Sequence, residues 1–310
     1  MSLTALFKNK TVFSLEVVPP KKDSPKEAIL PTLQQLQSIN PDFISVTSGA
    51  GGSDHYTGTV QIADLIQNQL NIPAVAHVPG LYQTREQVLN LLDNLSEFNV
   101  KNILGLRGDK IPGKQPVGDF NHANDLVAFV HQNRPDFSIA SACYPNCHPE
   151  ATGFVDDIAH LRTKVDAGAD HLISQLFFDN QAFYDFQEKA EIAGIHVPIE
   201  AGIMPCTNKK QIERITQITG VPLPKKFSAI LDRYQNSKEA MREAGIAFAV
   251  DQIIDLVSEG VDGIHLYTMN HADIAERIWN ATKSVFDAAN ARTRTTMNYT
   301  GTEVPGFWEH

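Results

Sequence analysis

The stretch HLISQLFFDNQAFYDFQEKAEIAGIHVPIEAGIMP (171–205) decides the fold. Its first eight residues are apolar on both alternating sets, the pattern of a strand covered on both faces. Helical spacing follows over 180–193. PIEAGIMP (198–205) is then a second strand of the same kind, leading into a helix at 208–218. Strand, helix, strand in this rhythm is the repeating unit of a parallel sheet. Outward from it the unit recurs. TVFSLEVV (11–18), FISVTSG (43–49), AVAHVPG (74–80), NILGLRG (102–108) and SIASACYP (138–145) read as strands. Helices are predicted at 25–38, 57–69, 84–96, 122–133 and 151–167, with Thr84 and Gln87 spaced as a capping box. GIHLYTMN (263–270) is the last strand, followed by the helix ADIAERIWNATKSVFDA. Eight such units in about 275 residues match a (β/α)8 TIM barrel, an α/β fold. A doubly wound open sheet is the alternative, because periodicity does not distinguish closure from openness. Residues 224–258 add two helices between the seventh and eighth strands. The expected division is therefore one barrel domain over 1–286 and a polar, loosely held tail over 287–310.

Composition narrows the function classes. The chain has 310 residues and a formal charge of −10, from 26 Lys+Arg against 36 Asp+Glu. Such acidity disfavours broad contact with nucleic acid or anionic lipid. Three Cys form no disulfide framework, so a reduced, cytoplasmic protein is expected. No stretch approaches 18 uncharged apolar residues, so neither export nor a membrane span is expected. Closed symmetry favours an even-numbered homo-oligomer where the chain associates.

In a barrel, ligands sit at the C-terminal ends of the strands. Polar residues cluster there: Glu16 on the first strand, Thr47 and Ser48 on the second, His77 on the third, Arg107-Gly108-Asp109 after the fourth. Tyr144, His148 and Glu150 follow the fifth, Gln175 lies in the sixth, and Tyr267, Thr268 and Asn270 end the eighth. Each alone reads equally well as a satisfied core group; seven strand ends aimed at one rim do not. A carboxylate inside a barrel is costly unless paired or protonated, so Glu16 and Asp109 are candidates for a protonatable and an ionised carboxylate.

Three superficial motifs fail on chemistry. GDKIPGKQ (108–115) has phosphate-loop spacing, but Gln115 stands where a hydroxyl should meet magnesium, and Pro112 removes an amide from the cradle. Cys143-x3-Cys147-His148 lacks a fourth metal ligand, so no metal site is expected. GAGGS (49–53) lacks the dinucleotide-binding glycine order.

Taken together, the ordered segments FSLEVVPPK (13–21), SVTSGAGG (45–52), LRGD (106–109), YPNCHPEA (144–151), KVDAGADHLISQLFFD (164–179), GIMP (202–205) and YTMN (267–270) resemble the methylenetetrahydrofolate reductase family, bacterial single-domain type. The resemblance spans residues 12 to 285. It implies a (β/α)8 barrel holding FAD noncovalently. NADH or NADPH would be the hydride donor and 5,10-methylenetetrahydrofolate the substrate, reduced to 5-methyltetrahydrofolate and so supplying methyl groups for methionine synthesis. A hydride carrier lets two bulky substrates use the site in turn. By the same resemblance Glu16 is the acid that protonates the leaving nitrogen, its pKa raised by apolar strand surroundings, and Asp109 sits by the flavin. Thr47, His77, Arg107, Gly108, Asp109, Ala123, Tyr144, His148, Asp157, His160 and Lys164 are the implied flavin shell; Gln175, Gln211 and His271 are on the substrate side. Ser48, Thr163, His271 and Ile215 depart from the family pattern, where Tyr, Arg, Arg and an aromatic residue are expected. The competing enzyme reading is a flavin-free pterin-binding one-carbon transferase on the same fold. The non-enzymatic one is a barrel that has lost activity.

Overall fold

The computed structural model describes residues 3–20, 25–48 and 56–300; GAGGS (49–53) and the closing Pro-Gly-Phe-Trp-Glu-His lie outside the described residues. A short helix, α1 (Thr4–Phe7), precedes β1 (Val12–Val17). Then α2 (Leu30–Gln37) leads to β2 (Phe43–Val46). Helix α3 (Tyr56–Asp64), prolonged by a π-helical turn to Gln69, leads to β3 (Ala74–Pro79). The pattern continues through α4 (Arg85–Glu97), β4 (Asn102–Leu106), α5 (Ala123–Asn133), β5 (Ser138–Cys143) and α6 (Phe154–Asp166). It ends with β6 (His171–Ser174), α7 (Asn180–Ile192) and β7 (Ile199–Ile203). Three helices, α8 (Lys209–Thr219), α9 (Lys225–Tyr234) and α10 (Lys238–Ser258), separate β7 from β8 (Gly263–Tyr267), and α11 (Ala272–Thr300) follows.

The strands close into a barrel in sequence order. Closure is the parallel pairing of β1 with β8, with Val12 opposite Gly263, Ser14 opposite His265 and Glu16 opposite Tyr267. This settles the question that periodicity left open. Alternation along the strands separates two cores. Phe13, Leu15 and Val17 join Ile44, Val46 and Ala76 in the layer between strands and helices. Val12, Phe43, Val75, Leu104, Ala140 and Ile173, one from each of six successive strands, form a second cluster within the barrel. Leu3 belongs to that cluster, and Leu6 and Phe7 pack against it, so α1 plugs the N-terminal mouth. Each such fully buried side chain stabilises the fold by about 1.5–3 kcal/mol relative to exposure. Helix α4 starts at the expected capping box: Gln87 N donates to Thr84 Oγ1 and Thr84 N to Gln87 Oε1.

The backbone stays helical across the expected boundary at 286/287. Residues 287–300 continue α11 rather than forming a loose tail. Trp279 stacks on Phe13 at 4.7 Å between ring centroids, Phe286 meets the same ring edge-on at 5.4 Å, and Asn290 Oδ1 accepts from Thr11 N at 2.8 Å. The apolar pattern stops at Phe286, but backbone hydrogen bonding carries the helix past the last residue that periodicity detects.

Candidate functional site

The strand C-termini surround a cavity of about 820 Å³, within the size range of small-molecule sites. Thirteen of the fifteen residues that the family resemblance assigns to the site line it. Glu16, at the upper end of β1, lies on its floor. Its side chain is largely buried, with Oε2 3.4 Å from His77 Nε2 and 3.7 Å from His265 Nε2. Its surroundings are thus two imidazoles, not the apolar wall expected from Leu15 and Val17. Those neighbours point to the opposite face of the strand, into the helix-facing core. Burial pushes the His77 imidazole down to about 4 against the pull of Glu16. His77 is therefore neutral at pH 7, and the pair is not an ion pair despite its closeness. His77 Nε2 has no hydrogen-bond partner.

The β4 end supplies the Arg107-Gly108-Asp109 corner. Gly108 has φ +90°, and a Cβ there would lie 2.9 Å from Pro79 Cβ, so only glycine makes this turn without strain. Arg107 is bidentate to Glu150, with both N···O distances 2.9 Å, and Lys110 Nζ reaches the same carboxylate at 3.0 Å. Hydrogen bonds from Arg107 and then Lys110 hold the Glu150 carboxyl at about 2. Across the cavity Lys164 Nζ donates to Ala142 O at 2.6 Å. Burial lowers its pKa, with Cys143 and Asp157 opposing. Asp157 accepts from His148 N at 3.1 Å, and His148 meets the Tyr144 ring edge-on. Thr47, Ala123, His160 and Gln175 also line the cavity. Gln175 Oε1 is turned back to accept from Leu176 N.

Two expected residues do not reach the cavity. Gln211 sits in the first turn of α8, its amide on the Asn208 cap. His271 is exposed, its backbone N donating to Thr268 O just before α11. Ile215 packs into the small cluster under α8–α10. Conversely, Tyr82, His122, Asn124 and Met204 line the cavity unforeseen. His122 and Asn124 flank Ala123 at the start of α5, and a search of helix N-termini at the rim finds them. Tyr82, whose hydroxyl accepts from Ile111 N at 2.7 Å, lies in a loop with no pattern to flag it. Among the described residues no His, Cys, Asp and Glu group could hold a metal ion, and no helix is long and apolar enough to cross a membrane.

Fold and site together define a (β/α)8 barrel with a ligand-sized rim pocket that holds buried carboxyl, imidazole and cationic groups. The family model for methylenetetrahydrofolate reductase matches residues 2–283. The 5,10-methylenetetrahydrofolate reductase of Pectobacterium carotovorum subsp. carotovorum is 32% identical over 265 residues, covering 86% of this chain and 88% of that one. Methylenetetrahydrofolate reductase (NADH) 1 of Zea mays is 33% identical over 282 residues, covering 86% of this chain but 47% of its own length. A solved structure of an uncharacterized Clostridium thermocellum protein, described as binding two copies of 5-methyl-5,6,7,8-tetrahydrofolic acid, superposes with a TM-score of 0.60. Its identity is 14%, and the match covers 92% of this chain and 97% of that one. At that identity the likeness concerns the fold. The chain belongs to the methylenetetrahydrofolate reductase family.

Proposed function

We propose that this protein reduces 5,10-methylenetetrahydrofolate to 5-methyltetrahydrofolate with NADH or NADPH, using FAD held noncovalently in the rim cavity. Family membership supports the reaction, and the name of the maize relative supports NADH as donor. The observation that carries the reading is Glu16 on the cavity floor between two imidazoles. The residues present fit a flavin dinucleotide. Arg107, Lys164, His148 and His160 and the first turn of α5 offer donors to a diphosphate. The unpartnered His77 Nε2 at the floor offers a polar contact to a ring edge. When bound, FAD supplies a hydride carrier between nicotinamide and folate.

The chain's own part is positioning and proton handling. Glu16 holds the proton that the methylene-bridge nitrogen must receive before its ring opens. Neutral His77 leaves that carboxyl without a fixed cation, which would otherwise tie up the acid as an ion pair. Asp109, set beside the cavity by the Gly108 corner, opposes the build-up of further negative charge near it and offers acceptors to a pterin edge.

The test is an absorbance spectrum of the purified protein before and after anaerobic NADH, and again after the folate. A flavin band that bleaches and then returns supports the reading; a colourless protein leaves the transferase. In Glu16→Gln, flavin reduction by NADH is expected to survive, while reoxidation by the folate falls by about 10²–10⁴, the usual worth of a positioned acid. Equal losses in both halves would make Glu16 structural.

A further inference from the structure

Below the cavity, inside the barrel, lies a second carboxyl that the reaction above does not use. Glu200, the second residue of β7, is fully buried. Space for it comes from Gly263 on β8: a Cβ there would lie 2.9 Å from Glu200 Cγ. Ser14 Oγ is 2.6 Å from Glu200 Oε1 and 2.7 Å from His265 Nδ1. On the other side of that ring, His265 Nε2 lies 3.3 Å from Ser45 Oγ and 3.7 Å from Glu16 Oε2. Ser14, Glu200 and His265 are all 0% exposed. The groups therefore form one file from the barrel interior to the cavity floor, open at a single link of 3.7 Å. Catalytic contacts are often this loose before the substrate binds.

We propose that Glu200 is a remote proton reservoir for Glu16, the two carboxyls sharing one proton through Ser14 and His265. The proposal rests on Glu16 being the acid. The file has two orientations. In one, Glu200 O–H donates to Ser14, the Ser14 hydroxyl to His265 Nδ1, and His265 Nε2–H faces a Glu16 carboxylate. In the other, Glu16 O–H faces Nε2, Nδ1–H donates to Ser14, and the Ser14 hydroxyl donates to a Glu200 carboxylate. Passing between them breaks one O–H bond on Glu200, forms one on Glu16 and exchanges the imidazole tautomer. One proton has moved and no ion pair has formed.

The surroundings suit a reservoir. Glu200 Oε2 has no hydrogen-bond partner, which a buried carboxylate tolerates far less well than a neutral acid. Burial raises the Glu200 pKa to about 8, with Asp42 and Asp262 adding repulsion and Ser14 opposing. Asp42 is engaged by Lys10 and by Phe13 N, and Asp262 by Ile199 N. His171, also at the barrel base, turns Nδ1 to Asp170. At the upper end, Glu16 faces neutral His77, His265 and Tyr267, whose hydroxyl donates to Ser174 O and is held protonated by burial. Among the described residues no cation contacts Glu200 to hold it ionised at neutral pH.

The test is the pH profile of folate-driven flavin reoxidation in single turnovers of the loaded enzyme. With the reservoir connected, neutral Glu16 is replenished until Glu200 itself ionises, so the wild-type rate stays level to about pH 8. In Glu200→Gln the file holds no transferable proton. In Ser14→Ala it is cut while Glu200 remains. Both are expected to fall progressively behind the wild-type rate as pH rises toward 8, the range over which Glu200 keeps its proton. The double variant should fall no further than either single one. A readout apart from turnover is infrared difference spectroscopy from pH 6 to 9: a carboxylic-acid carbonyl should vanish near pH 8 in wild type and be missing from Glu200→Gln. Profiles parallel to wild type overturn the relay, as does the absence of that carbonyl. If Glu16→Gln leaves folate reduction intact, the acid assignment itself has failed. If Glu16→Gln abolishes folate reduction while the Glu200 and Ser14 variants keep the wild-type profile, only the reservoir has failed.

Discussion

Replacing Glu200 by Gln should make the protein more stable at alkaline pH, by an amount the structure sets. The carboxyl titrates at about 8 in the fold against 4.5 for the free group. Between those values the unfolded chain is ionised and the folded one holds its proton, so the folded state binds more protons and stability falls as pH rises. The contribution is intact below about pH 4.5, erodes through the window and is fully lost by about pH 8. At 1.36 kcal/mol per unit, the 3.5 units between 4.5 and 8 amount to an upper bound of about 5 kcal/mol. That is a large share of the 5–15 kcal/mol typical of a domain. Gln has the same shape, cannot ionise and retains an amide for Ser14, so its stability curve lacks this slope. Other titrations run in both proteins and cancel in the difference. His77, for example, is pushed down to about 4 and adds stability as pH rises toward 6.5. Urea unfolding of both proteins from pH 5 to 9 gives that difference directly. It should grow in favour of the variant with rising pH and flatten above 8. Parallel curves would refute the argument, because they would mean Glu200 is ionised in the fold at its ordinary pKa.

Three further outcomes are expected. Lys164→Ala should weaken FAD retention, since a lost charged hydrogen bond is worth about 1.5–3 kcal/mol; fluorescence titration with FAD reads it, and an unchanged dissociation constant removes Lys164 from the phosphate role. His271→Ala should leave folate affinity as in wild type from pH 6 to 8, because His271 is exposed and off the cavity; a loss confined to low pH would instead put a protonated His271 in contact with the folate. Thr84→Ala should cost about 1 kcal/mol through the broken capping box, seen as a lower Tm with folate reduction unaltered.

Much of the barrel was legible because each strand announces itself by apolar residues on both faces and each helix by its spacing. Closure was not, since it depends on Val12 meeting Gly263 across some 250 residues. The site divides the same way. Residues at strand C-termini, such as Arg107, Tyr144 and Gln175, are gathered by the topology itself, so recognising the barrel places them on the cavity. Gln211 and His271 lie in helix starts beyond the rim, where strand order gives no direction. Glu200 carries no sequence signal because IEAGI (199–203) reads as an apolar strand, and its partner Ser14, with His265 beyond it, comes from distant strands. The environment of Glu16 differs from the sequence expectation for the same reason: Leu15 and Val17 are its neighbours in sequence but not in space, because successive side chains along a strand face opposite ways.

The seam between β1 and β8 also imposes an order on synthesis. Ribosomes deliver the chain from its N-terminus, and β1 emerges early with one edge unpaired until residues 263–267 arrive. Through that interval Ser14 and Glu16 lack the imidazole that flanks them in the finished barrel, and Phe13 lacks the indole of Trp279. A nascent chain stalled before β8 therefore has most of its cavity wall but no completed floor. It also exposes a strand edge open to pairing with a neighbouring chain. Ligand-binding competence should switch on abruptly with the last tenth or so of the barrel, and translational pauses just before residue 263 should be the most dangerous for aggregation.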